Sequence, residues 1–115
     1  KMMAIDSVTL IKDIISAVSG VTKQDASTIE NFAKMQLQDI AQQSVNFAVG
    51  LADHSIKDDE QQDFLDNIAE MTRSFANTLA GLMVVEAEKI WNAVVEVIWN
   101  TINTATGLTL SAPAF

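Results

Sequence analysis

Residues 55–106 form a stretch of about fifty residues with no proline and a single glycine, Gly81. The stretch is rich in Ala, Leu, Met, Glu, Gln and Asn, and its apolar residues recur every three or four positions, the spacing of one helix face. One continuous helix of this length would measure roughly 75 Å. A chain of 115 residues cannot wrap a core around such a helix. The surplus apolar surface is therefore predicted to meet a second copy, a partner or a lipid.

The rest of the chain has the same helical character. Hydrophobic residues make up 49% of it, and four glycines and one proline leave little material for turns. We expect a single helical domain over residues 1–115. Residues 1–2 are interpreted as the remnant of a cleaved tag. Residues 108–115 are interpreted as a C-terminal tail, in which Pro113 prevents regular structure.

Capping signals divide the chain into three predicted helices. The first covers residues 6–19 and ends at Gly20, the second runs from residue 22 to about residue 53, and the third covers residues 55–106. The predicted fold is all-α: an elongated antiparallel hairpin of three long helices, folded at His54.

An alternative breaks the third helix near Gly81 and gives a compact four-helix bundle. The residues after Gly81 are Leu82-Met83-Val84-Val85, which carry no turn chemistry. Continuity of the third helix is therefore favoured.

The C-terminal half of the third helix predicts self-association. Its apolar arc spans on the order of 200°, against the ~100° of an ordinary surface helix, so two neighbours are needed to cover it. A narrow polar strip of Asn92, Glu96, Asn100 and Asn103 completes the circumference. The predicted interface of a homo-oligomer comprises Met83, Ala87, Ile90, Trp91, Val94, Val95, Ile98, Trp99 and Ile102.

Composition argues against catalysis and against nucleic acid. The formal net charge of -8 offers no basic patch for phosphate or for anionic lipid. The chain has no cysteine and one histidine, His54, and it lacks the Glu-x-x-His pairs of di-iron bundles. We expect no enzyme activity, no catalytic residues, no cofactor and no bound metal.

The expected function is that of a structural or protein-interaction protein acting through oligomeric helix packing. One alternative is an amphipathic binder of lipid or another apolar surface, of the granule-coat or membrane-acting type, with Trp91 and Trp99 as interfacial anchors. Another is a small acidic chaperone or immunity-type partner of a client protein. No signal peptide and no run of eighteen uncharged apolar residues is visible, so a soluble protein, cytoplasmic by default, is expected.

Overall fold

The computed structural model describes residues 4–115, and within this range the chain forms a bundle of four α-helices without a β-strand. The helices are α1 (Ser7–Thr22), α2 (Ala26–Ala52), α3 (Gln61–Met83) and α4 (Ala87–Thr106), with a 3₁₀ turn at Asp58–Glu60 before α3. Helix α1 packs against α2 and α4, and α3 packs against the same two helices. Short connections between these neighbours make the topology up-down-up-down. The all-α class is confirmed, and the proposed tag remnant lies outside the described residues.

The predicted continuity of the third helix is wrong. Helix α3 ends at Met83, residues 84–86 form a turn, and α4 begins at Ala87. Val84 takes the left-handed conformation, with φ of 53°, while Gly81 lies inside α3. The alternative of a compact four-helix bundle is therefore the observed architecture. The elongated hairpin is also wrong, because the molecule measures 41 × 24 × 21 Å.

The chain breaks between α3 and α4 because the break allows α4 to bury its apolar side chains. A straight continuation would leave the apolar arc of α4 in solvent, whereas the turn lays α4 against both α1 and α3. Burying its seven large apolar side chains stabilises the fold by on the order of 10 kcal/mol. A left-handed valine costs about 1–2 kcal/mol. Burial therefore outweighs the backbone strain.

The first two helices also differ from their predicted bounds. Helix α1 continues through Gly20 to Thr22, and Lys23 ends it in the left-handed conformation, with φ of 62°. The Thr22 hydroxyl donates to the carbonyl of Val18 at 2.8 Å, so Thr22 closes α1 instead of capping α2. Asp6 and Ser7 are the two candidate caps of the first helix in the sequence, and the structure has Asp6 as the cap, since Asp6 Oδ1 accepts the backbone N–H of Val8 at 3.0 Å.

The core runs the length of the bundle, and its few polar members are satisfied locally. Four buried hydroxyl groups each donate to the carbonyl four residues earlier on the same helix, at 2.7–2.9 Å. These belong to Thr22, Ser44, Thr72 and Thr106. Among the described residues no buried side-chain polar atom lacks a partner. The interior is thus an apolar packing core.

Candidate interaction surfaces

The residues predicted to form a subunit interface lie mostly inside the monomer. Met83 and Ala87 are half-buried beside the α3–α4 turn. The other seven are buried in the core: Ile90, Trp91, Val94, Val95, Ile98, Trp99 and Ile102. The two neighbours that the wide arc requires are supplied by α1 and α3 of the same chain. Contact between copies at these seven residues would require the bundle to open, so their use as an interface stays a prediction.

Four exposed apolar side chains belong to α2, to the last turn of α3 and to the α3–α4 turn, at the end of the bundle where α3 turns into α4. Phe32 is 56% exposed, Met35 73%, Leu82 50% and Val84 95%. Gln36 Nε2 lies 3.5 Å from Thr78 Oγ1, which gives the register of the antiparallel helices α2 and α3. Phe32 lies one helical turn before Gln36, and Leu82 lies one turn after Thr78, so the two occupy neighbouring positions. We call this four-residue surface the apolar tip.

Helix α2 is distorted within the apolar tip. Ala33, between Phe32 and Met35, has non-helical backbone angles, with φ of −132° and ψ of 22°, and its side chain is buried. The apolar stripe of α2 passes through the buried Ala33, whereas Phe32 and Met35 lie outside it, so the helical repeat does not identify this surface. An available signal was the presence of Phe32 and Met35 in a segment otherwise rich in Gln and charged residues.

Valine is unfavourable at position 84 for two independent reasons, its backbone conformation and its exposure. A β-branched residue in the left-handed region is strained, and Gly or Asn is the usual residue there. Its side chain is also the most exposed of the large apolar residues described. Both the backbone conformation and the exposure of the side chain therefore disfavour valine at this position.

Charge is distributed unevenly between the two ends of the bundle. Three lysines and four carboxylates surround the apolar tip, all exposed: Lys23, Asp25, Glu30, Lys34, Glu86, Glu88 and Lys89. The opposite end, around the α2–α3 connection, exposes one lysine and six carboxylates: Asp53, Lys57, Asp58, Asp59, Glu60, Asp63 and Asp66. The Ser55 hydroxyl and backbone N–H bind Asp53 and hold its pKa below the usual range. We call this region the acidic end.

The C-terminal tail, residues 108–115, lies on the groove between α3 and α4, with Gly107 ending α4 in the left-handed conformation. The Asn103 side chain makes two bonds to the backbone of Leu110. Its Nδ2 donates to the Leu110 carbonyl, and its Oδ1 accepts the Leu110 N–H, each at 2.9 Å. Leu65, Ala69 and Trp99 line the groove near this point. We call this surface the tail groove.

The distal part of the tail is held by Trp91 and Arg73. Trp91 Nε1 donates to the Pro113 carbonyl at 3.2 Å, and Arg73 Nη2 donates to the Ala114 carbonyl at 3.0 Å. The ring of Phe115 lies 5.8 Å from that of Trp91, tilted by 49°. The Arg73 guanidinium stands 4.8 Å from the Trp91 ring centroid and also pairs with Glu70. Trp91 thus joins the tail to the core.

Within residues 4–115 no cluster of three or more His, Cys, Asp and Glu side chains is arranged to hold a metal ion. His54 is exposed in the α2–α3 connection, as the sequence predicts. None of the helices in that range is long and apolar enough to cross a membrane.

Comparison with protein-family models, curated proteins and solved structures finds no match to this chain. The structure itself defines the class: an acidic four-helix bundle with two candidate interaction surfaces, the apolar tip and the tail groove.

Proposed function

We propose that this chain is a non-catalytic interaction protein that self-associates through its apolar tip. The observation that carries the proposal is the apolar tip itself, above all Val84, which is both strained and exposed. Burial against another apolar surface would recover the hydration cost of all four side chains.

Charge favours tip-to-tip contact between two copies. The overall charge of -8 opposes most approaches of one copy to another. At the tip, however, three lysines face four carboxylates, so two tips can meet without strong repulsion. This arrangement also keeps the two acidic ends far apart. The tip is therefore the end best suited to a second copy.

The size of the tip sets the expected strength of the contact. Its four side chains expose on the order of 400 Å² of apolar surface. A two-fold contact would bury about twice that area, which is below the ~1,200 Å² of a specific, stable interface. We therefore expect a weak dimer with a dissociation constant in the micromolar range or above.

Sedimentation equilibrium over low to high micromolar concentration tests this proposal. The mean mass should rise with concentration toward that of a dimer. Val84→Asn should abolish the rise, because asparagine tolerates the left-handed conformation and removes the apolar contact. The matched control is Val49→Asn, since Val49 is exposed on α2 near the opposite end. A concentration-independent monomer mass would refute self-association through the tip.

The alternative is that the tip binds lipid or another apolar surface. The contrast between the apolar tip and the acidic end supports it. A molecule with an apolar tip and an acidic end can insert the first while the second stays in water. Flotation with neutral phosphatidylcholine vesicles separates the two proposals. A chain that is monomeric in solution and floats with vesicles, except in the Val84→Asn variant, would support lipid binding instead.

A further inference from the structure

We propose that the tail groove is a binding site for an extended, uncharged segment of a partner protein, with proline two residues before an aromatic residue. In this structure the chain's own tail occupies the site. The tail groove is separate from the apolar tip, and neither proposal depends on the other.

The groove recognises the backbone of its occupant. Asn103 supplies both a donor and an acceptor to one residue, as a neighbouring β-strand would. Trp91 and Arg73 then donate to two successive carbonyls, those of Pro113 and Ala114. None of these four hydrogen bonds uses a side chain of the tail. Any extended segment in the same register can form them.

Side chains of the tail indicate which segments fit best. Phe115 packs against the Trp91 ring, and Pro113 is half-buried with a fixed φ that favours the extended form. Asp66 lines the groove and Glu70 pairs with Arg73 at its edge, so an acidic segment would be repelled. An uncharged segment with proline and an aromatic residue therefore matches the site.

The tail is held weakly enough to be displaced. Five of its eight residues are exposed: Thr109, Ser111, Ala112, Ala114 and Phe115. Four partly exposed hydrogen bonds must offset the entropy lost in ordering the whole segment. A partner segment that makes the same bonds and buries more surface would replace it.

Exchange of tails between two copies is a less suitable use of the groove. Helix α4 ends beside the α2–α3 connection, so exchange would bring two acidic ends together. Six exposed carboxylates on each copy oppose that approach. A partner protein is favoured for this reason.

Fluorescence anisotropy with the full-length chain tests the proposal. The probe is a labelled synthetic peptide with the sequence of residues 108–115. Phe115→Ala in the protein should loosen its own tail and tighten peptide binding about fivefold. In that Phe115→Ala background, where the tail competes less, adding Asn103→Ala should weaken peptide binding about tenfold. Asn100→Ala is the matched control, because Asn100 is an exposed asparagine on the same helix and makes no bond to the tail.

A second probe leaves the protein unchanged. N-methylation of the peptide at the leucine equivalent to Leu110 removes the N–H that Asn103 accepts, and should weaken binding to a similar extent. Equal binding of both peptides would overturn the proposal. So would equal affinity of the Asn103→Ala and Asn100→Ala variants in the Phe115→Ala background, or no effect of Phe115→Ala itself. Each of these results would make the tail a fixed part of the fold.

Discussion

Val84 ends α3 in a conformation that glycine adopts without strain, and this makes its effect on stability testable. Val84→Gly should raise the free energy of unfolding by about 1 kcal/mol, because the left-handed strain disappears and no buried contact is lost. Urea denaturation measures the change. Val85→Gly is the control, since Val85 packs against the core and its loss should destabilise the chain. A destabilised Val84→Gly variant would contradict the strain argument.

Asp6 at the start of α1 predicts a dependence of stability on pH. The hydroxyl of Thr9 and the backbone N–H groups of Thr9 and Val8 bind its carboxylate and lower its pKa. Because the folded pKa lies below the unfolded one, the ionised group stabilises the fold above the usual aspartate pKa. This contribution is lost as the pH falls through the lowered value.

Asp6→Asn isolates this contribution, since asparagine still accepts a capping bond but does not titrate. The melting temperature of the parent should exceed that of the variant near neutral pH, and the gap should close on acidification. A gap that is constant with pH would show that the charge of Asp6 has no part in capping.

At the scale of elements, alanine substitution of two glycines inside helices should change the stability of the fold in opposite directions. A Cβ at Gly50 would overlap the side chain of Ile56, which folds back from the α2–α3 connection, whereas a Cβ at Gly81 meets open space. Gly50→Ala should therefore destabilise the chain by about 1–3 kcal/mol through overpacking. Gly81→Ala should stabilise it by about 0.5–1 kcal/mol through helix propensity. Thermal denaturation followed by circular dichroism compares the two, and effects of the same sign would contradict this packing.

Helix formation itself was predictable from the sequence, but the break between α3 and α4 was not. Apolar periodicity and capping signals identified the helical segments, and the predicted fold at His54 lies in the observed α2–α3 connection. The turn after Met83 contains no Gly, Pro or Asn that would predict it. The turn forms because α4 buries more apolar surface by folding onto α1 and α3 than it would as part of a longer helix. That comparison involves residues distant in sequence, which no local pattern contains.

For the whole molecule, tryptophan fluorescence tests whether the two tryptophan rings are buried within one chain. Trp91 is 0% exposed and Trp99 is 4% exposed within one chain. Their emission should therefore be blue-shifted in buffer and should stay so on dilution below the dissociation constant of any oligomer. Neutral or anionic vesicles should leave it unchanged. A red shift on dilution would show that other copies cover these rings and would restore the interface predicted on α4.

The sequence by itself determined that this chain is all-helical, that its core consists of the apolar stripes, and that its charge is strongly acidic. These properties follow from the local repeat of apolar residues and from composition. Tertiary structure decided which apolar residues have partners. The wide arc around Trp91 turned inward and was covered by α1, α3 and the tail, while Phe32, Met35, Leu82 and Val84 were left outside. Periodicity reports that a face is apolar, but only the three-dimensional packing of the four helices determines what covers it.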